Sequence, residues 1–347
     1  ATEFVNDWEV VSHQPNTASG FSATLFKNKH TQEYVFANRG TELETLSDKL
    51  NDVLFADLLG IGRSGFATSQ AFDMYRYFKK LQTPVGTPVD YSFFADILKL
   101  SIGLFPDDVG IGALANVDQV STTGHSLGGH LSSLLSIFFS DTVNNLSTFN
   151  GAGLGGGALE ILDRIQQLLG GDMFSYSEDK GVQYYAEVGK ELTAGLGVSI
   201  GDPSPVFVEA QTFDSSNHSV SLLVDSLAVS QILSLIDPTL NQKGINNYLE
   251  IAASKPEESL EKIVNAIGDL LGDGGTTVST DVREELHARI KLITKKLLIQ
   301  PHVENPQLKP EYQGLSIVNI NTISDAAANN STAGLAYRYA LVNLNPF

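Results

Sequence analysis

The sequence predicts an α/β protein, a mostly parallel central sheet flanked by helices, and three observations lead there. Short β-prone runs alternate with helical periodicities from about residue 21 to residue 236. One strand candidate, residues 117–123, runs directly into Gly124-His125-Ser126-Leu127-Gly128-Gly129 and then into a helical face of Leu131, Leu134, Leu135 and Phe138. The composition, 42% hydrophobic and 18% charged over 347 residues, is that of a globular chain able to bury a sizeable core, which excludes fibrous and disordered readings.

Along the chain, residues 21–26 alternate apolar and polar, and 33–37 form a second β-prone run across Lys27-Asn28-Lys29-His30-Thr31-Gln32, so the pair reads as an antiparallel hairpin. A helix is expected over about 66–81. Residues 83–116 change to Pro and Gly punctuation around Phe93, Phe94, Ile97, Leu98, Leu100 and Leu104, with Gly86, Gly103, Gly110 and Gly112 as hinge candidates. That pattern suits an insertion acting as a lid over an apolar cleft, or else an ordinary buried helix. Beyond the central strand–turn–helix, residues 146–150 and 183–188 read as strands separated by a glycine run and a helix at 159–169. Residues 206–209 give one more short strand, and 219–236 an apolar helix stopped by Asp237-Pro238. The stretch 238–347 is expected to be a mainly helical elaboration, best at 257–271 and 282–298, on one domain spanning 1–347. No repeat of solenoid period is apparent.

Charge and cysteine count narrow the partners. Forty acidic residues against 22 basic ones leave a net charge of −18, which repels phosphate backbones and anionic surfaces, so nucleic acid is not expected as a partner. No run approaches the ~18 unbroken apolar residues of a membrane span, and the first residues carry no basic and apolar signal segment. With no cysteine, disulfides, thiolate metal sites and cysteine nucleophiles are excluded together. Oligomeric state leaves no signature.

Residues 124–128 fit Gly-x-Ser-x-Gly, in which a serine sits on a tight strand-to-helix turn and small neighbours let the backbone fold closely. Ser126 is therefore the candidate nucleophile. A hydroxyl attacks only when a base takes its proton, and this topology supplies partners in the order serine, acid, histidine. His13 and His30 precede the serine, while His125 and His130 flank it too closely. His287 stands among Arg283, Glu284, Glu285 and Arg289, as on a solvated helix face, and His302 lies in a Pro-flanked loop. His218, at the end of Asp214-Ser215-Ser216-Asn217 and directly before an apolar helix, is the favoured base. For the carboxylate that orients it, Asp202 in the stiff Gly201-Asp202-Pro203-Ser204-Pro205 turn is preferred, with Glu191 and Glu209 also tenable. An oxyanion needs at least two donors. One is the Leu127 N–H behind the nucleophile, and Thr41, at the Arg39-Gly40-Thr41 strand end, is the candidate for the other.

These residues carry a resemblance. Arg39-Gly40-Thr41, Gly65-Phe66, the run from Thr123 to Gly129 and a later histidine resemble the class 3 lipases. Asn217-His218-Ser219 followed by Asp225-Ser226-Leu227-Ala228-Val229, with Ala336 to Pro346, is similar to the lipase-like domains of secreted bacterial RTX calcium-binding proteins. The resemblance implies an α/β-hydrolase fold, a Ser126–His218–acid triad, cleavage of acylglycerol or similar lipid esters at a lipid–water interface, and secretion. Phospholipase A1 and polyester cleavage fall within the same implication. No cofactor is expected: calcium, raised by the RTX association, has no glycine-rich Asp repeat here to support it.

Rival readings are weaker. Gly151-Ala152-Gly153-Leu154-Gly155-Gly156 satisfies Gly-x-Gly-x-x-Gly, with Asp172 at about the right interval, but that Asp follows a helix pattern where a second strand should end. The glycines read better as close backbone packing beside the sheet edge. A non-catalytic binding module on a hydrolase scaffold is the other alternative. Nothing marks a peptide side-chain pocket, and His125 and His130 do not form a zinc helix motif.

Overall fold

A computed structural model describes residues 4–40, 68–98, 105–155, 181–186, 198–209, 215–252, 259–279, 283–301 and 306–313. The chain divides into two compact units, one within residues 1–185 and 192–204 and the other within 186–191 and 205–347.

The first unit is built on a seven-stranded sheet whose spatial order follows the chain. After a single helical turn, α1 (Phe4–Asp7), come β1 (Trp8–Gln14), β2 (Ala23–Asn28) and β3 (Tyr34–Asn38), joined antiparallel. The hairpin expected over 21–37 is present, and β1 is an addition to it. Its side chains are exposed or only half-buried, so it lacks the apolar alternation that marks a strand with one face in a core. Strands β4 (Val120–His125), β5 (Val143–Phe149) and β6 (Gly181–Ala186) then add in parallel to β3, with Asn38 opposite Gly124 and His125 opposite Phe149. This is the mostly parallel sheet that the alternation of elements predicts.

The last strand, β7 (Asp202–Val206), corrects one expectation. The segment read as a stiff turn before a strand at 206–209 is itself the strand. Two prolines obscured it, yet at the end of the sheet order a proline's missing N–H breaks no ladder.

Helix α2 (Thr68–Gln82) packs against α4 (Leu127–Phe138), which lies on β3, β4 and β5. Every residue of α4 is buried, its histidine and three serines included. Its serines are satisfied locally: Ser133 and Ser136 donate to the carbonyls of Gly129 and Ser133, and Ser132 accepts from Asn38.

The insertion at 83–116 contains a short helix, α3 (Ser92–Leu98), whose Phe94 is fully buried. Its ring stacks on Tyr75 at 4.4 Å between centroids and meets Phe138 edge-on at 5.4 Å. Asp108 ties the segment's far end to α2: it accepts from Tyr91 Oη at 2.6 Å and from Arg76, and pairs with the Lys80 ammonium at 3.7 Å. The hydrogen bond from Arg76 is the main reason its carboxyl is held down at about 2, against the cost of burial. Phe94 is thus a core residue and not one that swings over a cleft, so the buried-helix reading fits it better than the lid. Phe94→Ser is expected to cost about 4 kcal/mol, from the lost ring and the cavity left behind, read as a fall in the urea midpoint.

The described residues of the second unit include four helices, α5 (Val220–Ile236), α6 (Gln242–Ala252), α7 (Ser259–Leu271) and α8 (Arg283–Leu297). Leu233, Leu249, Val264, Ile267, Ile293 and Leu297 form its centre. A buried guanidinium, Arg289, joins α8 to Asp269 at 2.6 Å and to the buried Asp273 at 3.1 Å.

Candidate active site

Ser126 stands between β4 and α4 with φ 56° and ψ −123°, a left-handed conformation that few non-glycine residues adopt. The turn exists because glycines surround it. A Cβ on Gly124 would lie 2.2 Å from the backbone of Gly128, and one on Gly128 would lie 2.4 Å from the Asn38 carbonyl. At the strand end expected to supply the second oxyanion donor, a Cβ on Gly40 would lie 2.7 Å from the His125 carbonyl. The exit of β3 therefore runs against the elbow backbone, although Thr41 itself lies outside the described residues.

Backbone hydrogen bonds hold the serine from both sides. Its N–H donates to the Phe149 carbonyl at 3.1 Å, and its own carbonyl accepts from Gly129 at 2.9 Å, His130 at 3.2 Å and Ala152 at 3.3 Å. The side chain makes no cap bond to the helix it precedes. Leu127 is the first residue of α4, where a backbone N–H has no acceptor within the helix. A helix N-terminus also favours negative charge. Chemically, this is a hydroxyl presented on a rigid turn beside amide donors.

His130, one turn into α4, is fully buried and hydrogen-bonds through Nδ1 to the Gly153 carbonyl at 3.1 Å. It latches the glycine run after β5 to α4, where Gly151 packs so closely that a Cβ on Gly129 would lie 2.7 Å from its Cα. Gly151 is in close backbone packing, as the reading preferred to the dinucleotide fingerprint anticipates; Gly156 and Asp172 lie outside the described residues. Burial pushes the His130 imidazole down to about 4, more than its bonds to the Gly153 and Ala152 carbonyls restore. Its folded value lies below the ordinary 6.5, so the unfolded chain binds the extra proton between these values. Stability is complete above pH ~6.5 and is lost as pH falls toward 4, by about 3 kcal/mol in total. Urea unfolding across pH 4–7 should show that slope in the wild type and not in His130→Gln.

The other sequence candidates are placed as follows. His218 ends a turn of 3-10 helix, Ser215–His218, and is buried immediately before α5, whose N-cap Ser219 accepts from the Ser221 N–H. Asp202 opens β7 and is exposed. Glu209 accepts from the Leu260 N–H at 2.8 Å, at the start of α7, a favourable place for a carboxylate. Glu191 and His302 lie outside the described residues. Ser126, Leu127 and Asp202 belong to the first unit, His218 and Glu209 to the second.

His287, its side chain about a third exposed among exposed neighbours, is paired across helices. Its Nε2 meets Asp225 Oδ1 at 2.5 Å, and Arg283 binds the same carboxylate at 2.7 and 2.8 Å, so Asp225 ties α5 to α8. Burial raises the Asp225 carboxyl, but the bonds from His287 and Arg283 outweigh it and leave it below the usual range. The cue in the sequence was an Asp within an apolar helix, which burial makes costly unless it is paired. Asp225→Asn is expected to lower stability by about 2 kcal/mol, while His287→Ala leaves any hydrolysis that depends on Ser126 within a few-fold. Chemical denaturation and a turnover assay on the two variants check this.

Fold and elbow together define a mostly parallel α/β protein with a strained serine at a strand-to-helix turn. No family model, curated protein or solved structure matches the chain. Among the described residues, no group of three or more His, Asp or Glu could hold a metal ion, and no helix is long and apolar enough to cross a membrane.

Proposed function

We propose that the chain is a serine ester hydrolase of the lipase type, acting on acylglycerols or similar lipid esters. The observation that carries this reading is the Ser126 elbow: positive φ, glycines that exclude a Cβ on either side, and amide donors at the start of α4. A serine is rarely held in such strain for structural reasons alone, because a glycine would relieve it. Ser126 attacks the ester carbonyl, and His218 takes its proton and returns it to the leaving alcohol. The Leu127 N–H and a donor at the Gly40-Thr41 strand end hold the oxyanion. Water then releases the acyl group. The lipid class and secretion rest on the resemblance to the RTX-associated lipases.

The acid is assigned among Asp202, Glu191 and Glu209. Glu209 already holds the start of α7, and the exposed Asp202 lacks the burial that usually fixes an orienting carboxylate. Asp202→Asn, Glu191→Gln and Glu209→Gln should single out one residue by a large loss of kcat. The reading as a whole is tested by hydrolysis of p-nitrophenyl esters from butyrate to palmitate. Turnover that rises with chain length and vanishes in His218→Ala supports it, and a folded wild type without turnover overturns it.

A further inference from the structure

We infer that Asn38 is a positioning residue for the proposed hydrolysis: its bond to Ser132 fixes the end of β3, the strand end assigned the second oxyanion donor, against the Leu127 N–H. The inference deepens the hydrolase reading and rests on it. Asn38 is the last residue of β3 and is 4% exposed. Its Nδ2 donates to Ser132 Oγ, on α4, at 2.9 Å. A longer contact, 3.5 Å, reaches Thr122 Oγ1 on β4, and that hydroxyl donates to the Phe36 carbonyl at 3.0 Å. One buried amide thus ties together the strand end, the strand that leads to Ser126 and the helix that follows it.

The amide is not what keeps β3 in the sheet. Backbone pairing already seats Asn38 between Ala23 of β2 and Gly124 of β4, and an apolar side chain there would carry no polar cost. Asn38 does carry one: its Oδ1 is buried without a hydrogen-bond partner among the described residues, a state that native structures hold at few sites. What the side chain adds is direction. Around it the strand end meets α4 as bare backbone, so that a Cβ on Gly128 would lie 2.4 Å from the Asn38 carbonyl and 2.9 Å from the Gly40 nitrogen. Such contacts stop the two elements from closing up but not from sliding or parting. The Asn38–Ser132 bond resists both. Ser133 and Ser136 bond back to carbonyls of their own helix, whereas Ser132 takes its bond from β3. It shares a rigid helix with Leu127, so the bond sets the strand end against that N–H. Donors stabilise an oxyanion only when they are preset at its position, and a misplacement of ~1 Å can cost on the order of a hundredfold in rate.

The test compares Asn38→Leu, Ser132→Ala and both changes together in the full chain, with Ser133→Ala as the control, since the Ser133 hydroxyl bonds within α4. Each is assayed for p-nitrophenyl butyrate turnover and for inhibition by butylboronic acid, whose tetrahedral adduct with a serine places an oxygen where the oxyanion forms. Asn38→Leu should lower kcat at least ~30-fold, leave KM within threefold and weaken butylboronate binding by a similar factor. Ser132→Ala should act in the same way, by about fivefold or more. The double variant should be no worse than Asn38→Leu, because the two changes remove one bond. Ser133→Ala should lose stability and keep kcat within twofold. If Asn38→Leu does not fold, Ser132→Ala carries the test. A kcat within twofold of the wild type in the folded variants overturns the inference. So does a lost kcat with unchanged butylboronate affinity, or an equal loss in Ser133→Ala, which would mark a loosened helix. A folded wild type that neither turns over the ester nor binds butylboronate removes the reaction and the positioning role together, whereas an active wild type indifferent to Asn38 removes the positioning role alone.

Discussion

Ser126→Ala is expected to lower kcat for ester hydrolysis on the order of a millionfold, and Ser126→Gly to do the same while being the more stable protein. Both remove the proposed nucleophile, so turnover does not distinguish them. Stability does, because the backbone at φ 56° and ψ −123° strains alanine as it strains serine, by roughly 1–3 kcal/mol. Glycine adopts that conformation freely. It also gains unfolded-chain entropy, worth roughly 0.4–1 kcal/mol against it, so the net advantage of the glycine variant should be about 1 kcal/mol. Urea unfolding of the two variants side by side measures the difference. Equal stabilities would mean the turn is not strained, and the main support for a nucleophile at Ser126 would be gone.

The second large effect is on folding. Gly124→Ala would put a Cβ 2.2 Å from the carbonyl group of Gly128, and that group is backbone in the first turn of a helix buried on every side. Neither β4, paired on both edges, nor α4 can shift without moving Ser126 between them. A loss of at least ~3 kcal/mol is expected, as for a severe overpacking change, with turnover lost too. Gly244→Ala is the control. Its Cβ would find nothing closer than 3.5 Å, on a helix where alanine is preferred, so it should be neutral or stabilising by up to ~1 kcal/mol. Unfolding midpoints of the two variants decide the matter: if Gly124→Ala proves as benign as Gly244→Ala, the elbow's close packing is not what the glycines are for.

Much of this was legible in the sequence where the cause is local. The strand–serine–helix unit could be read because a tight turn demands small residues at fixed offsets. The apolar helix after His218 was legible from its length and its Asp237-Pro238 stop. Strand β1 was not, since a mostly solvated edge strand carries no apolar alternation. Strand β7 was masked by Pro203 and Pro205, residues that an edge tolerates and an interior strand does not. The pairing of His287 was not legible among its charged sequence neighbours, because the carboxylate that binds it is 62 residues away. The apolar insertion invited a lid, but an aromatic ring's hydrophobicity does not say whether it faces a cleft or, as Phe94 does, the core.

The sequence by itself determined the class of fold, the elbow and the identity of its serine, because backbone stereochemistry and hydrophobic period act over a few residues. Only the tertiary structure decided that Gly40 meets the elbow backbone, that His130 latches the glycine run at Gly153, and that Asp225 joins α5 to α8. Each of these contacts joins residues far apart in the chain. Such pairings come from how whole elements bury their faces against one another, which no local pattern encodes.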